Sequence, residues 1–168
     1  MALRILGIDP GYAIVGLGVI DYAGNSFKPV KYGKIETKAN TPLAERLETI
    51  YNILNIWISE TKPDVVAIEQ LFFNTNTKTA FSVAQARGVI VLVGQLNNIP
   101  VYEYTPLQVK QAVTGYGKAD KMQVQKMIKT LLKLEAVPKP DDVADALAGA
   151  ICHANNAGSI SGFAKQSP

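Results

Sequence analysis

The chain has one cysteine, one histidine and one tryptophan among its 168 residues. A single cysteine, Cys152, excludes an internal disulfide framework and fits a reducing compartment. Cys152 and His153 are neighbours, with no further Cys or His to complete a zinc site. Cys152 reads as a small core residue. The lone histidine lies inside an expected helix, which leaves no Ser-His-Asp set for nucleophilic hydrolysis. No uninterrupted apolar run reaches transmembrane length. The first residues form a strand pattern without the charged and apolar regions of a signal peptide. No membrane role and a cytoplasmic location are expected. Gly16-Leu17-Gly18 lacks the third glycine of a dinucleotide loop and sits in an expected strand, so that motif is excluded.

What is present fits a globular chain: 48% apolar and 18% charged residues. The length suits one domain, expected over residues 1–156, with 157–168 as a flexible tail. The net charge is +3, but residues 101–139 hold seven lysines against three acids. An acidic segment follows. That order suits an anionic polymer held beside a metal-binding cluster, although a solvated lysine face would read the same way.

The apolar run Leu3 to Ile8 ends in Asp9, followed by Pro10 and Gly11. This predicts a buried strand over 3–9, with Gly11 free to take a positive φ. Strands over 14–21 and 31–37 follow, joined to each other by a hairpin turn at Ala23-Gly24-Asn25. The glycines at 16 and 18 mark either a bulge or the close approach of another backbone. Thr41 offers an N-cap and Pro42 a first helical position, ahead of an amphipathic helix through Ile58 that includes Trp57. Val65 to Ile68 reads as a strand buried on both faces and ends in Glu69. A helix over 78–97 is apolar nearly all round, which predicts burial between the sheet and a second subunit. A last strand, 101–104, precedes a helix capped at Thr105-Pro106 and another capped by Asp120 with Gln123. The final helix begins at Asp141, a natural N-cap, and is expected to end in the stretch after His153.

Asp9 and Glu69 both stand at the carboxyl ends of central strands, where open α/β sheets bind ligands. One such acid could simply cap a turn. Two at one edge repel unless a cation or a shared proton intervenes. Asp142 and Asp145 are spaced i, i+3 and share a helix face. Four carboxylates make an oxygen-ligand set for hard cations such as Mg2+ or Mn2+. Two such ions, about 3.5–4 Å apart, can drive phosphodiester hydrolysis.

The ordered motifs Ile5-Leu6-Gly7-Ile8-Asp9-Pro10-Gly11, Ala67-Ile68-Glu69-Gln70, Gln85-Ala86-Arg87-Gly88, Gln108-Val109-Lys110-Gln111, Leu131-Leu132-Lys133-Leu134 and Asp142-Val143-Ala144-Asp145-Ala146-Leu147 run from residue 3 to about 153. In this set the chain closely resembles the RuvC family of bacterial Holliday junction resolvases. The resemblance implies an α/β, ribonuclease-H-like fold: a mixed five-stranded sheet flanked by helices, assembled as a homodimer. It implies paired symmetric nicks in a four-way DNA junction, in recombination and repair, with two Mg2+ per site and Mn2+ as a substitute. The family's catalytic acids fall on Asp9, Glu69, Asp142 and Asp145. Its junction-inserting aromatic falls on Phe72, with Phe73 beside it, and its phosphate-contacting lysines on Lys110 and Lys121. Lys78, Arg87 and Lys118 are further DNA-contact candidates, and the RuvA-RuvB branch-migration complex is an implied partner. The doubled acid Asp141-Asp142 is a departure from the pattern, with spacing to Asp145 favouring Asp142.

Three other readings compete. An actin-like ATPase half also opens with a strand, an acid and glycines, but this chain is too short for the two halves that hold a nucleotide. A non-catalytic junction binder gains nothing from four acids beside phosphates. A ribonuclease-H-like RNA-processing nuclease is the nearer rival.

Overall fold

The computed structural model describes residues 2–71 and 77–160, and of 77, 78 and 158–160 the backbone only. Phe72, Phe73, the Lys78 side chain and residues 161–168 therefore lie outside the described residues. The chain order is β1 (Leu3–Asp9), β2 (Ile14–Ala23), β3 (Ser26–Glu36), α1 (Leu43–Thr61), β4 (Val65–Glu69), α2 (Thr77–Leu96), β5 (Val101–Tyr104), α3 (Pro106–Thr114), α4 (Lys121–Leu131) and α5 (Asp141–Ile160). The sheet runs β3-β2-β1-β4-β5. β1, β2 and β3 form an antiparallel meander; β4 and β5 extend it in parallel from β1. This is the mixed five-stranded sheet expected.

Alternation along each strand divides the core into two halves. Leu6, Ile8, Val66 and Ile68 face α1 and α2, where Ile50, Leu54, Ile90 and Val93 cover them. Ile5, Val65 and Ala67 face the other way, onto α3, α4 and α5. Trp57 serves packing, with the Lys31 ammonium 4.1 Å from its ring centre.

The glycines of β1 and β2 let α5 press onto the sheet backbone. A Cβ at Gly7 would lie 1.9 Å from the Ala146 carbonyl oxygen, and one at Gly16 equally close to that of Asp142. Close approach of another backbone is thus the role of Gly16, while the sheet's irregularity falls separately at Val19/Ile20. Backbone cannot swing aside as a side chain does. Gly16→Ala is expected to cost about 3 kcal/mol or more in stability, read as a fall in the urea midpoint. A midpoint within error of wild type would show that α5 can lift off the sheet.

Several local expectations are corrected. Gly11 has no positive φ; it is needed for room, since a Cβ there would meet the Ile14 carbonyl oxygen at 2.1 Å. β3 starts at Ser26, not Lys31, because Phe27 stacks on Tyr22 and extends the hairpin. Pro29 is tolerated there on an edge strand, opposite the irregularity. Pro42, not Thr41, is the N-cap of α1; the Thr41 hydroxyl donates instead to the Lys38 carbonyl at 2.7 Å. Asp141 is the first residue of α5 rather than its cap. α5 also runs on to Ile160. Its asparagine amides find carbonyls: Asn155 donates to Ala112 and Asn156 to Cys152, so neither competes with the helix backbone.

Within the single chain α2 is buried against the sheet on one side. Ala86, Ile90 and Val93 are buried, whereas Phe81, Leu92 and Leu96 are exposed. By length and composition Thr79–Leu96 is apolar enough to cross a membrane, unlike the uninterrupted runs considered from sequence; Arg87, Gln85 and Gln95 interrupt it.

Candidate active site

Strand parity places the first two acids. Ile5, Gly7 and Asp9 alternate onto the α5 face of β1, and Val65, Ala67 and Glu69 do so on β4. Ile8 pairs with Ile68 in the parallel register, so Asp9 and Glu69 follow at the same edge of adjacent strands. The Gly7 and Gly16 contacts then bring the first turns of α5 over that edge. Asp142 and Asp145 come with them.

The electrostatics show the acids facing one another. Burial pushes the Asp9 carboxyl up to about 8, with Glu69, Asp145 and Asp142 adding repulsion. Burial raises Glu69 as well, with Asp145 adding and Lys121 and Lys110 opposing. Asp145 is also raised by burial, against the pull of Lys121. Glu69, Asp145, Lys110 and Lys121 line a cleft of about 210 Å³ floored by Val109 and Ala148. A second recess beside it, of about 240 Å³, joins Asp9 and Glu69 to Gln70 and Leu71.

The doubled acid divides its work. Asp142 lies on the Asp9 side and raises the affinity of Asp9 for its proton. Asp141 acts on Asp145 but on neither Asp9 nor Glu69. Its carboxylate accepts from Lys139 at 2.8 Å and lies 3.4 Å from the Lys121 ammonium. Lys139 first, with Lys121 and Gln125 adding, holds Asp141 down at about 2. Lys121 also reaches Asp145 at 3.3 Å. Burial works against the Lys121 charge, but Asp145 and Asp141 outweigh it.

The remaining sequence candidates separate. Lys110 sits in the cleft, and Lys118 is exposed on the loop after Gly115, whose φ of 73° ends α3. Arg87 already has an acid partner, Glu103 on β5. Sequence reasoning missed the Asp141–Lys121–Asp145 bridge and a buried pair in which the Tyr104 hydroxyl meets His153 Nδ1 at 2.8 Å. The second ties α5 to β5 and gives the lone histidine a structural role. Burial lowers its basicity, as suits a neutral ring.

The donor set fits a divalent cation. It is all carboxylate oxygen, held on two strands and a helix that glycines clamp together. Three of its acids bind protons more tightly than usual, the mark of negative charge awaiting neutralisation. Among the described residues, no three His, Cys, Asp or Glu side chains are yet drawn together tightly enough to hold an ion.

Comparison with known proteins identifies the family. The family model described as crossover junction endodeoxyribonuclease RuvC matches residues 5–153. The crossover junction endodeoxyribonuclease RuvC of Alkaliphilus oremlandii is 62% identical over 151 residues, covering 90% of this chain and 92% of that protein. Thermus thermophilus RuvC, solved in complex with a Holliday junction substrate, superposes with a TM-score of 0.88 at 34% identity, over 92% of this chain and 94% of that one. The yeast mitochondrial Holliday junction resolvase shares the fold, with a TM-score of 0.68 at 13% identity, over 96% of this chain and 81% of that one. Matched through both halves of its acid cluster and along nine-tenths of its length, the chain belongs to the RuvC family of crossover junction endodeoxyribonucleases.

Proposed function

We propose that the chain resolves four-way DNA junctions in recombination and repair, by hydrolysing one phosphodiester bond in each of two strands of like polarity. The observation that carries this reading is the meeting of Asp9, Glu69 and Asp145 at one sheet edge, beside Lys110 and Lys121. Asp9, Glu69, Asp142 and Asp145 would hold two Mg2+ ions, with Mn2+ able to substitute. Bound there, the ions supply an activated water and charge stabilisation at the leaving oxygen.

The protein's own groups do the rest. Lys110 and Lys121 hold the scissile phosphate against the acids, and Lys118 extends the basic rim along the backbone. Lys78 and Arg87 are weaker candidates, Arg87 because Glu103 already offsets its charge. Phe72, with Phe73 beside it, would stack on bases at the junction centre. The exposed stripe of α2 would form the interface of a homodimer, which places two sites on the two strands. The RuvA-RuvB complex would deliver the junction, in the cytoplasm.

The test is cleavage of a labelled mobile four-way junction with Mg2+, beside matched duplex and a structured RNA. Paired nicks confined to the junction are expected, leaving ligatable 5′-phosphate and 3′-hydroxyl ends. Preferential cutting of RNA would favour the RNA-processing reading. Binding without any cut, with Mn2+ and varied junction sequences included, would favour a non-catalytic binder. Raising salt from 50 to 200 mM is expected to weaken junction binding by about tenfold or more, through displaced counterions.

A further inference from the structure

Lys121 is held between two acids of the same helix. Asp141 and Asp145 are one turn apart, at i and i+4, and lie on one face of α5. The ammonium sits 3.4 Å from Asp141 and 3.3 Å from Asp145. The two acids differ in what else they do. Asp145 belongs with Asp9 and Glu69, whereas Asp141 acts on neither of them, with Lys139 at 2.8 Å as its other partner. A cation bound by Asp145 competes directly with Lys121 for the same carboxylate. The contact with Asp141 is to a separate carboxylate, one that acts on neither Asp9 nor Glu69.

From this we infer that Asp141 is a positioning residue for Lys121. It keeps the ammonium at the rim of the site when the Asp145 carboxylate turns to a cation, so that Lys121 stays aimed at the phosphate instead of swinging into solvent. The inference rests on the proposed nuclease reading for its purpose, but the contact itself is open to a measurement that needs no cleavage. Lys139 serves as the internal control. It shares Asp141 but reaches neither Asp145 nor the cleft lining.

The first readout is the labelling rate of individual lysines by dilute acetic anhydride, followed by mass spectrometry of the intact-folded chain. In the wild type, Lys121 is expected to label slowly and to stay slow when Mg2+ is added. In Asp141→Asn its labelling rises about threefold, the size of one partly exposed ion pair, and rises further with Mg2+. In Lys139→Ala it does not rise. The second readout is junction cleavage. Asp141→Asn is expected to lower kcat about tenfold with KM within about twofold, the signature of a misplaced group rather than lost binding. In a Lys121→Gln background the same substitution is expected to do nothing more.

Equal Lys121 labelling in wild type and Asp141→Asn would overturn the inference. So would loss of wild-type protection on adding Mg2+, or an undiminished effect of Asp141→Asn in the Lys121→Gln chain. A wild-type chain that cuts no junction would instead overturn the nuclease reading, and the labelling result would still decide what Asp141 does.

Discussion

Asp9→Asn is expected to abolish junction cleavage, by at least about 10³-fold in kcat or about 4 kcal/mol of transition-state stabilisation, while junction affinity without metal stays within about threefold. The reason lies in the protonation of the cation-free site. Burial and three neighbouring acids push Asp9 up to about 8, which favours the protonated carboxyl at neutral pH. Asparagine has the shape and charge of that protonated acid. The substitution therefore leaves the resting fold as it was and removes only the capacity to become an anionic ligand. Near-normal cleavage by this variant would remove Asp9 from the chemistry.

The same shift dictates the pH dependence. A carboxyl whose folded value, about 8, exceeds its ordinary 3.8 binds its proton more tightly in the folded state. Its contribution to stability is complete below about pH 4 and is lost as pH rises through about 8. Thermal melts of the cation-free protein are thus expected to fall between pH 5 and 8.5, and to fall less for Asp9→Asn. Mg2+ is expected to restore more stability at pH 8.5 than at pH 5, because a cation must displace that proton. Equal Mg2+ stabilisation at both pH values would show that cation binding displaces no proton from the cluster over this range.

Much of the site was legible because it follows from short-range rules. An apolar run ending in one acid, twice over, placed Asp9 and Glu69 at strand ends along one sheet edge; that they share a face follows from the β1–β4 register, which the sequence does not show. Spacing put Asp142 and Asp145 on one turn of helix. The bridge from Lys121 to α5 was not legible. Its partners are 20 and 24 residues apart, and an acid in the first turn of a helix reads as a response to the dipole whatever else it touches. The glycines of β2 left a bulge and a close approach both open, and nothing in the sequence said what would approach them or Gly7. The length of α5 failed differently: asparagines that signal a helix end in isolation continue one when carbonyls of the same helix and of α3 lie within reach of their amides. The apolar girth of α2 predicted a sheet side and a subunit side, but which residues face the sheet needed the fold.

The exposed stripe of α2 carries the second large effect. Phe81 is 81% exposed, Leu92 51% and Leu96 58%, and the three fall within about 60° of one another around α2. Gln85 and Gly88 lie between them on the same side, and a Cβ at Gly88 would meet nothing within 4 Å, so a partner helix has room to approach. The opposite side, with Ala86, Ile90 and Val93, is already spent on the core. In a two-fold interface each substitution counts twice. Leu92→Glu removes two buried leucines at about 2 kcal/mol each and sets like charges across the axis. Dimer dissociation is expected to rise about 10³-fold or more, seen in sedimentation as a shift to the 18.1 kDa monomer. Val93→Glu, on the core side, would unfold the chain instead, which circular dichroism distinguishes. If the dimer is what couples the two cuts, the Leu92→Glu monomer makes single nicks that leave the junction joined, and symmetric paired products disappear before total nicking does. A dimer of unchanged strength would move the subunit contact off this stripe and leave its apolar surface to another partner.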